Sequence, residues 1–162
     1  MNSTTLTTAP IAPLLDRLFA HETEMRDALH AMSASVSAEE RDRLLRSKTE
    51  YLELYSRMKD IPLAVSRETG RLLYMLARSA RATSIVEFGT SFAISTLHLA
   101  AAVRDNGGGR IITCEFEPSK VERARANLAE AGVADLVEIR VGDALHTLRT
   151  NLPDAIDLVL LD

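Results

Sequence analysis

The chain has 162 residues, of which 46% are hydrophobic and 26% charged, with a formal net charge of -4. That length suits a single folded domain, and that balance excludes a disordered chain and a polyanion-binding face, so no nucleic-acid partner is expected. No stretch approaches the roughly 18 consecutive apolar residues of a membrane span, and the single cysteine, Cys114, cannot form an internal disulfide; no membrane partner and a reducing, cytoplasmic setting are expected.

The opening "MNSTTLTTAP" is polar, lacks the basic flank and apolar core of a secretory signal, and reads as a disordered lead-in. In "LLDRLFAHETEMRDAL" Leu14, Leu15, Leu18, Met25 and Leu29 fall near one stripe, which predicts a helix with a weak middle from Phe19 to Thr23. "SAEERDRLLRSKTEYLELYSRM" predicts a second helix. Ser37 and Glu40 form a capping-box pattern there, and Leu44, Tyr51 and Met58 recur every seven residues beside Leu45, Leu52 and Tyr55. Pro62 breaks the pattern. "SRETGRLLYMLARSA" then predicts a third helix, with Ser66 as N-cap, Leu72, Leu73 and Leu76 as buried positions, and Gly70 as an anomaly.

From residue 84 the pattern becomes strand, turn, helix, repeated. Ile85 to Phe88 reads as the first strand, Ile94 to Arg104 as its helix, and "DNGGG" at 105 to 109 as the turn that follows. Arg110 to Glu115 is the second strand; its helix starts at Pro118, carries Val121, Ala124, Leu128 and Ala131 on one face, and stops at Gly132. Leu136 to Val141 is the third strand, followed by a short helix after "GDAL". "AIDLVLLD" is a fourth, whose continuous apolar character predicts cover on both faces. Strands alternating with helices imply an α/β fold: a Rossmann-like parallel sheet with right-handed crossovers and helices on both faces, preceded by an N-terminal helical extension.

Ligands of such sheets bind outside the carboxyl ends of the strands, where strand order reverses. The four strands end in Glu87-Phe88-Gly89, Glu115, Gly142-Asp143 and Asp162, so each presents a carboxylate at or near one edge. That set suits a nucleoside carrying hydroxyls, an amine and a cationic centre. Glu115, 26 residues beyond Gly89, has the spacing of an acid that grips ribose hydroxyls, and Asp143 is either an acceptor for an exocyclic amine or the N-cap of the following helix. A GxGxxG run is missing, which disfavours a pyrophosphate-holding, NAD-type site. The ligand inferred is S-adenosylmethionine (SAM). Cys114 reads as a small buried hydrophobe, and His21, His30, His98 and His146 lack a metal-ligand spacing.

"VEFGTSFAISTLHLA", "ITCEFEPSKVERARANLAEAG", "VEIRVGDAL" and "IDLVLLD" together resemble the successive motifs of class I SAM-dependent O-methyltransferases, of the catechol and caffeoyl-CoA type. The resemblance runs from about Ile61 to Asp162. It implies an enzyme that moves a methyl group from SAM to a hydroxyl of a small molecule. Glu87, Gly89, Thr90, Ser91 and Ser95 would line the methionine end of the cofactor, with Ser95 holding its carboxylate. Glu115 would bind the ribose, Asp143 and Ala144 the adenine, and Asp162 the amine; Phe116, Gly142 and Val65 complete the implied cofactor-binding set, Val65 in a segment that closes over it. Glu87 is expected to organise the first loop by accepting backbone N–H groups. In metal-dependent members the position of Asp162 is also the first ligand of Mg2+ or another divalent cation. Ala93 stands where the family carries a second glycine, so a methyl group is expected to crowd helix and cofactor there.

The same resemblance divides the chain into an N-terminal helical extension, 1–60, giving substrate or homodimer contacts, and a SAM-binding Rossmann-like part, 61–162, whose sheet is expected to be truncated after the fourth strand. The alternative function is a non-catalytic, methyltransferase-like module for nucleoside binding or dimerisation.

Overall fold

The computed structural model describes residues 3–34, 37–47, 56 and 58–161. In chain order the elements are α1 (Ile11–Ala34), α2 (Ala38–Arg46), α3 (Arg67–Ser79), β1 (Ser84–Phe88), α4 (Ile94–Asp105), β2 (Arg110–Glu115), α5 (Pro118–Glu130), β3 (Val137–Val141), α6 (Ala144–Thr147) and β4 (Leu158–Leu161), with 3-10 turns at Thr5–Thr7 and Ala134–Leu136. The strands form one parallel sheet in the order β3-β2-β1-β4. Strand order therefore reverses beside β1. The β3-to-β4 crossover runs back across the sheet and, being right-handed, must cover the face opposite to α4 and α5.

Register decides which side chains share a face. Ile85 pairs with Ile111 and Leu158, and Ile111 pairs with Val137, so these apolar residues and their partners two positions on, Glu87, Thr113, Ile139 and Leu160, point the same way. Ile85, Ile111, Val137, Ile139, Leu158 and Leu160 belong to the main core with α4, whose residues Ile94 to Val103 are all buried. A helix apolar all round needs cover on its outer side too. Part of that cover is α1, whose Ile11, Leu14, Leu15 and Phe19 enter the same core. Each of those side chains contributes roughly 1.5–3 kcal/mol of gross burial.

Several expectations change here. The supposed disordered lead-in is folded from Ser3 onward: Asp105 accepts the N–H and the hydroxyl of Thr5, and the Tyr74 hydroxyl at 2.7 Å, which ties the Thr5–Thr7 turn to the end of α4. Phe19, read as a weak point, is a core residue. The second helix keeps its Ser37 cap, with Oγ accepting from Glu40 N–H at 3.1 Å, but it ends at Arg46 with Ser47 in extended backbone; Leu44 is buried, and Tyr51, Leu52 and Tyr55 lie outside the described residues. On α3 the Ser66 cap holds, yet Leu72 and Leu76 are half exposed and the buried face is Gly70, Leu73 and Ala77. The reason is close packing. A Cβ at Gly70 would lie 2.5 Å from the His98 ring, so the glycine lets α3 approach α4 on that face rather than on the leucine stripe. β4 is covered on one face: Leu158 and Leu160 pack on the core while Val159 and Leu161 are exposed. No helix among the described residues is long and apolar enough to cross a membrane.

Gly109 must be glycine for a steric reason. At φ 152 its missing Cβ would sit 2.1 Å from Thr83 O, the carbonyl that accepts the Arg110 N–H at 2.7 Å where β2 begins beside β1. Gly109→Ala should destabilise the fold by about 2–4 kcal/mol, read from the denaturant midpoint.

His98 makes a second prediction. Burial, reinforced by the Arg71 and Arg67 charges and opposed by the bond to Ile94 O, holds its imidazole below its ordinary pKa. The unfolded ring, with a pKa of about 6.5, takes up a proton that the folded ring refuses, so stability is complete above that pH and falls as pH drops below it. Unfolding free energy should therefore decline more steeply from neutral toward acid pH in the wild type than in His98→Gln.

Candidate functional site

The carboxyl ends of β1, β2 and β3 and the loops after them form the candidate site. Glu87 is fully buried, because period 2 turns it to the core face under the first turn of α4. Its Oε1 accepts from Ser95 Oγ at 2.7 Å, and its Oε2 from Thr96 Oγ1 at 2.6 Å and Thr113 Oγ1 at 2.7 Å. Thr113 is its cross-strand partner in the register, and Thr90 Oγ1 lies 2.7 Å from Thr113 Oγ1. Glu87 was expected to accept backbone N–H groups of the first loop; the bonds seen here come instead from hydroxyls of α4 and β2, of which only Ser95 was singled out from the sequence.

The loop between β1 and α4 is held in left-handed backbone at Gly89 (φ 96), Ser91 (φ 46) and Ala93 (φ 67). Thr90 N–H donates to Cys114 O at 3.0 Å, which carries the chain across the top of β2. Ala93 occupies the N-cap of α4 in that conformation. The family's glycine at this position is therefore a backbone requirement as much as a matter of room, and alanine holds it at a cost of roughly 1–2 kcal/mol. No side chain caps α4. Its leading N–H groups consequently face outward with the positive end of the helix dipole, a local anion site.

Glu115 at the end of β2 is buried and cross-braces the rim. Oε2 accepts Ser91 N–H at 2.9 Å, and Oε1 accepts Phe116 and Glu117 N–H at 3.0 Å each. Its backbone carbonyl accepts Gly142 N–H at 2.9 Å, joining the second rim loop to the third. Asp143 serves as N-cap of α6, with Oδ1 accepting Leu145 N–H at 2.8 Å, and Ala144 behind it is buried. Gly142, at φ 128, makes the turn between them. Val65 packs on the core beside the rim, in a segment tied down where Leu63 N–H donates to Ser91 Oγ at 3.1 Å. Asp162 lies outside the described residues.

Burial pushes the Cys114 thiol above its ordinary pKa, opposed by the backbone at Gly89 and reinforced by the charges of Glu115, Glu87 and Asp143. Lys120, on α5, was missed by the sequence reading. It is buried, and that burial lowers its pKa while Glu115 and Glu117 raise it. Phe88 and Val141 at strand ends, and Leu145 in the short helix after β3, are exposed apolar residues suited to a flat ring. No group of three metal-type ligands occurs among the described residues.

A family model described as O-methyltransferase matches residues 33–162. A catechol O-methyltransferase from Mycobacterium tuberculosis is 43% identical over 100 residues, covering 62% of this chain and 44% of that protein. Another from Niastella koreensis is 37% identical over 86 residues, covering 53% and 38%. Among solved structures, the O-methyltransferase TomG from Streptomyces achromogenes, involved in tomaymycin synthesis and in complex with SAM, is 44% identical with a TM-score of 0.58, over 65% of this chain and 48% of that one. An O-methyltransferase from Bacillus cereus in complex with SAH is 28% identical with a TM-score of 0.60, over 80% and 62%. The chain spans less than half the length of these two curated relatives.

Removing one hydroxyl tests the Glu87 arrangement. Thr113→Val keeps the shape but strips a donor from a buried carboxylate and a partner from Thr90, and should cost about 1–3 kcal/mol in urea unfolding at unchanged slope.

Proposed function

The chain belongs to the O-methyltransferase family, and from that membership we propose that it serves a SAM-dependent transfer of a methyl group to a hydroxyl of a small molecule. The observation that carries the proposal is Glu115: a buried carboxylate at the end of β2, bonded to the amide of Ser91 in the β1 loop, where strand order reverses. Bound SAM would supply an electrophilic methyl group on a cationic sulfur. The rim acids favour such a cation and disfavour a pyrophosphate.

Each rim group has a task in this scheme. A carboxylate offers about four acceptor positions, and three amides occupy those of Glu115, so a vicinal diol would take the remaining one and compete with one amide. The Ser91 N–H, on the adjoining loop, is the partner most readily exchanged. Ser95 gives its one hydroxyl proton to Glu87, so a ligand carboxylate would be met by the uncapped amides at the start of α4 rather than by that hydroxyl. Asp143, Ala144 and Phe116, with exposed Val141 and Leu145, suit an adenine ring. Gly89, Thr90 and Gly142 shape the loops, and Val65 lies in the segment anchored to Ser91. The rate advantage would come chiefly from alignment of the acceptor hydroxyl with the methyl group.

Asp162 completes the proposed set, as amine acceptor and as ligand to a divalent cation; no step above depends on that cation. The proposal extends to a cytoplasmic setting, supported by the single cysteine. It extends also to substrate or homodimer contacts from residues 1–60, supported by the packing of α1 over α4.

Isothermal calorimetry with SAM tests the central point. Glu115→Ala should weaken binding about tenfold to a hundredfold through loss of charge-assisted hydrogen bonds. Unchanged affinity would remove the ribose role.

A further inference from the structure

We propose that the chain carries a second small-molecule site, away from the strand rim, in the cavity between the Thr5–Thr7 turn, α1, α3 and α4, and that it takes a hydroxylated aromatic carboxylate. The cavity measures about 200 Å³. That exceeds the roughly 150 Å³ of an apolar cavity able to hold benzene. Leu6, Leu15 and Phe19 are among its apolar walls, and Thr7, Asp16, Arg67, Arg71 and His98 supply its polar groups.

His98 is the group that points to a ligand. It is only 3% exposed and lines the cavity. Its Nδ1 lies 2.8 Å from Ile94 O, and because a carbonyl can only accept, Nδ1 carries the proton. Burial and two neighbouring arginines keep the ring neutral, so Nε2 presents a lone pair. That atom has no partner among the described residues, and it is not among the buried polar atoms sealed off without one. The ring cannot swing away to find water. Phe19 packs edge-on to it at 6.1 Å, and Gly70 sits against it so closely that a Cβ would clash. Nε2 is therefore held in place yet still reachable, an acceptor that an O–H or N–H donor entering the cavity can meet.

Charge selects the rest of the ligand. Arg67 is bound to Asp16 at 2.7 Å and lies 4.5 Å over Phe19, so its charge is matched. Arg71 is exposed and has neither hydrogen bond nor ion pair among the described residues, although Glu68 on the same helix feels its charge. The cavity therefore offers an acceptor at depth, an aromatic edge and apolar walls between, and one unmatched guanidinium. A hydroxyl on an aromatic ring with a carboxylate elsewhere on it meets all three. An inorganic anion would leave the walls unmatched.

The test is a titration of 4-hydroxybenzoate into the intact protein, followed by long-range proton–nitrogen NMR of the histidine rings. The expected result is a saturable shift at His98 Nε2, with about tenfold weaker binding for benzoate, which lacks the hydroxyl, and for Arg71→Ala. Arg71 is exposed, so that variant keeps its fold. Saturating SAM should leave the His98 shift in place, and its own binding to the same sample reports the rim separately. Absence of a His98 shift would overturn the proposal. So would equal affinities for benzoate and 4-hydroxybenzoate, an unaffected Arg71→Ala, or abolition of the shift by SAM.

Discussion

A carboxylate with no access to water has to be met by donors, and Glu87 is met by hydroxyls from α4 and from the neighbouring strand. This requirement fixes much else. It sets the rotation of α4's first turn, since Ser95 and Thr96 must both face the sheet. It also sets the register of β2, since Thr113 must lie opposite Glu87. Burying such a group unpaired would cost several kcal/mol, so loop, helix and strand are bound to one another around it.

The rim is built outward from that point by exchange of backbone bonds between loops. Thr90 reaches β2 through Cys114 O, Ser91 reaches Glu115, and Gly142 reaches the carbonyl of Glu115. Three left-handed residues in five positions of the first loop turn the chain tightly enough to aim the α4 amides at the space above the sheet. The loop thus stores strain at the place where a ligand carboxylate would be received. Glu115 has a double use: it holds the loops together and offers the acceptor position a diol would use, so binding and loop order are coupled.

Behind the rim, α4 is enclosed on every side, and the packing that encloses it creates the second feature of interest. Gly70 lets α3 come close, His98 fills the contact, and Phe19 from α1 supports the ring. The leucines on α3 are displaced outward as a result, and the space left beside His98 is the cavity lined by the arginines.

The sequence by itself determined the alternation of elements, the parallel sheet, the caps at Ser37 and Ser66, the start of α5 at Pro118, and the placement of acids at strand ends. These follow from local rules: periodicity, capping chemistry and glycine punctuation act over a few residues and are written in order along the chain. Tertiary structure alone decided which face of α3 is buried, that β4 is covered on one face, that the Thr5–Thr7 turn is held by Asp105, and who satisfies Glu87. Those outcomes depend on pairs such as Glu87 with Thr113, Gly70 with His98, and Thr5 with Asp105, separated by 26, 28 and 100 positions. Contacts at that range carry no periodic trace in the sequence, because each is set by how two finished elements meet.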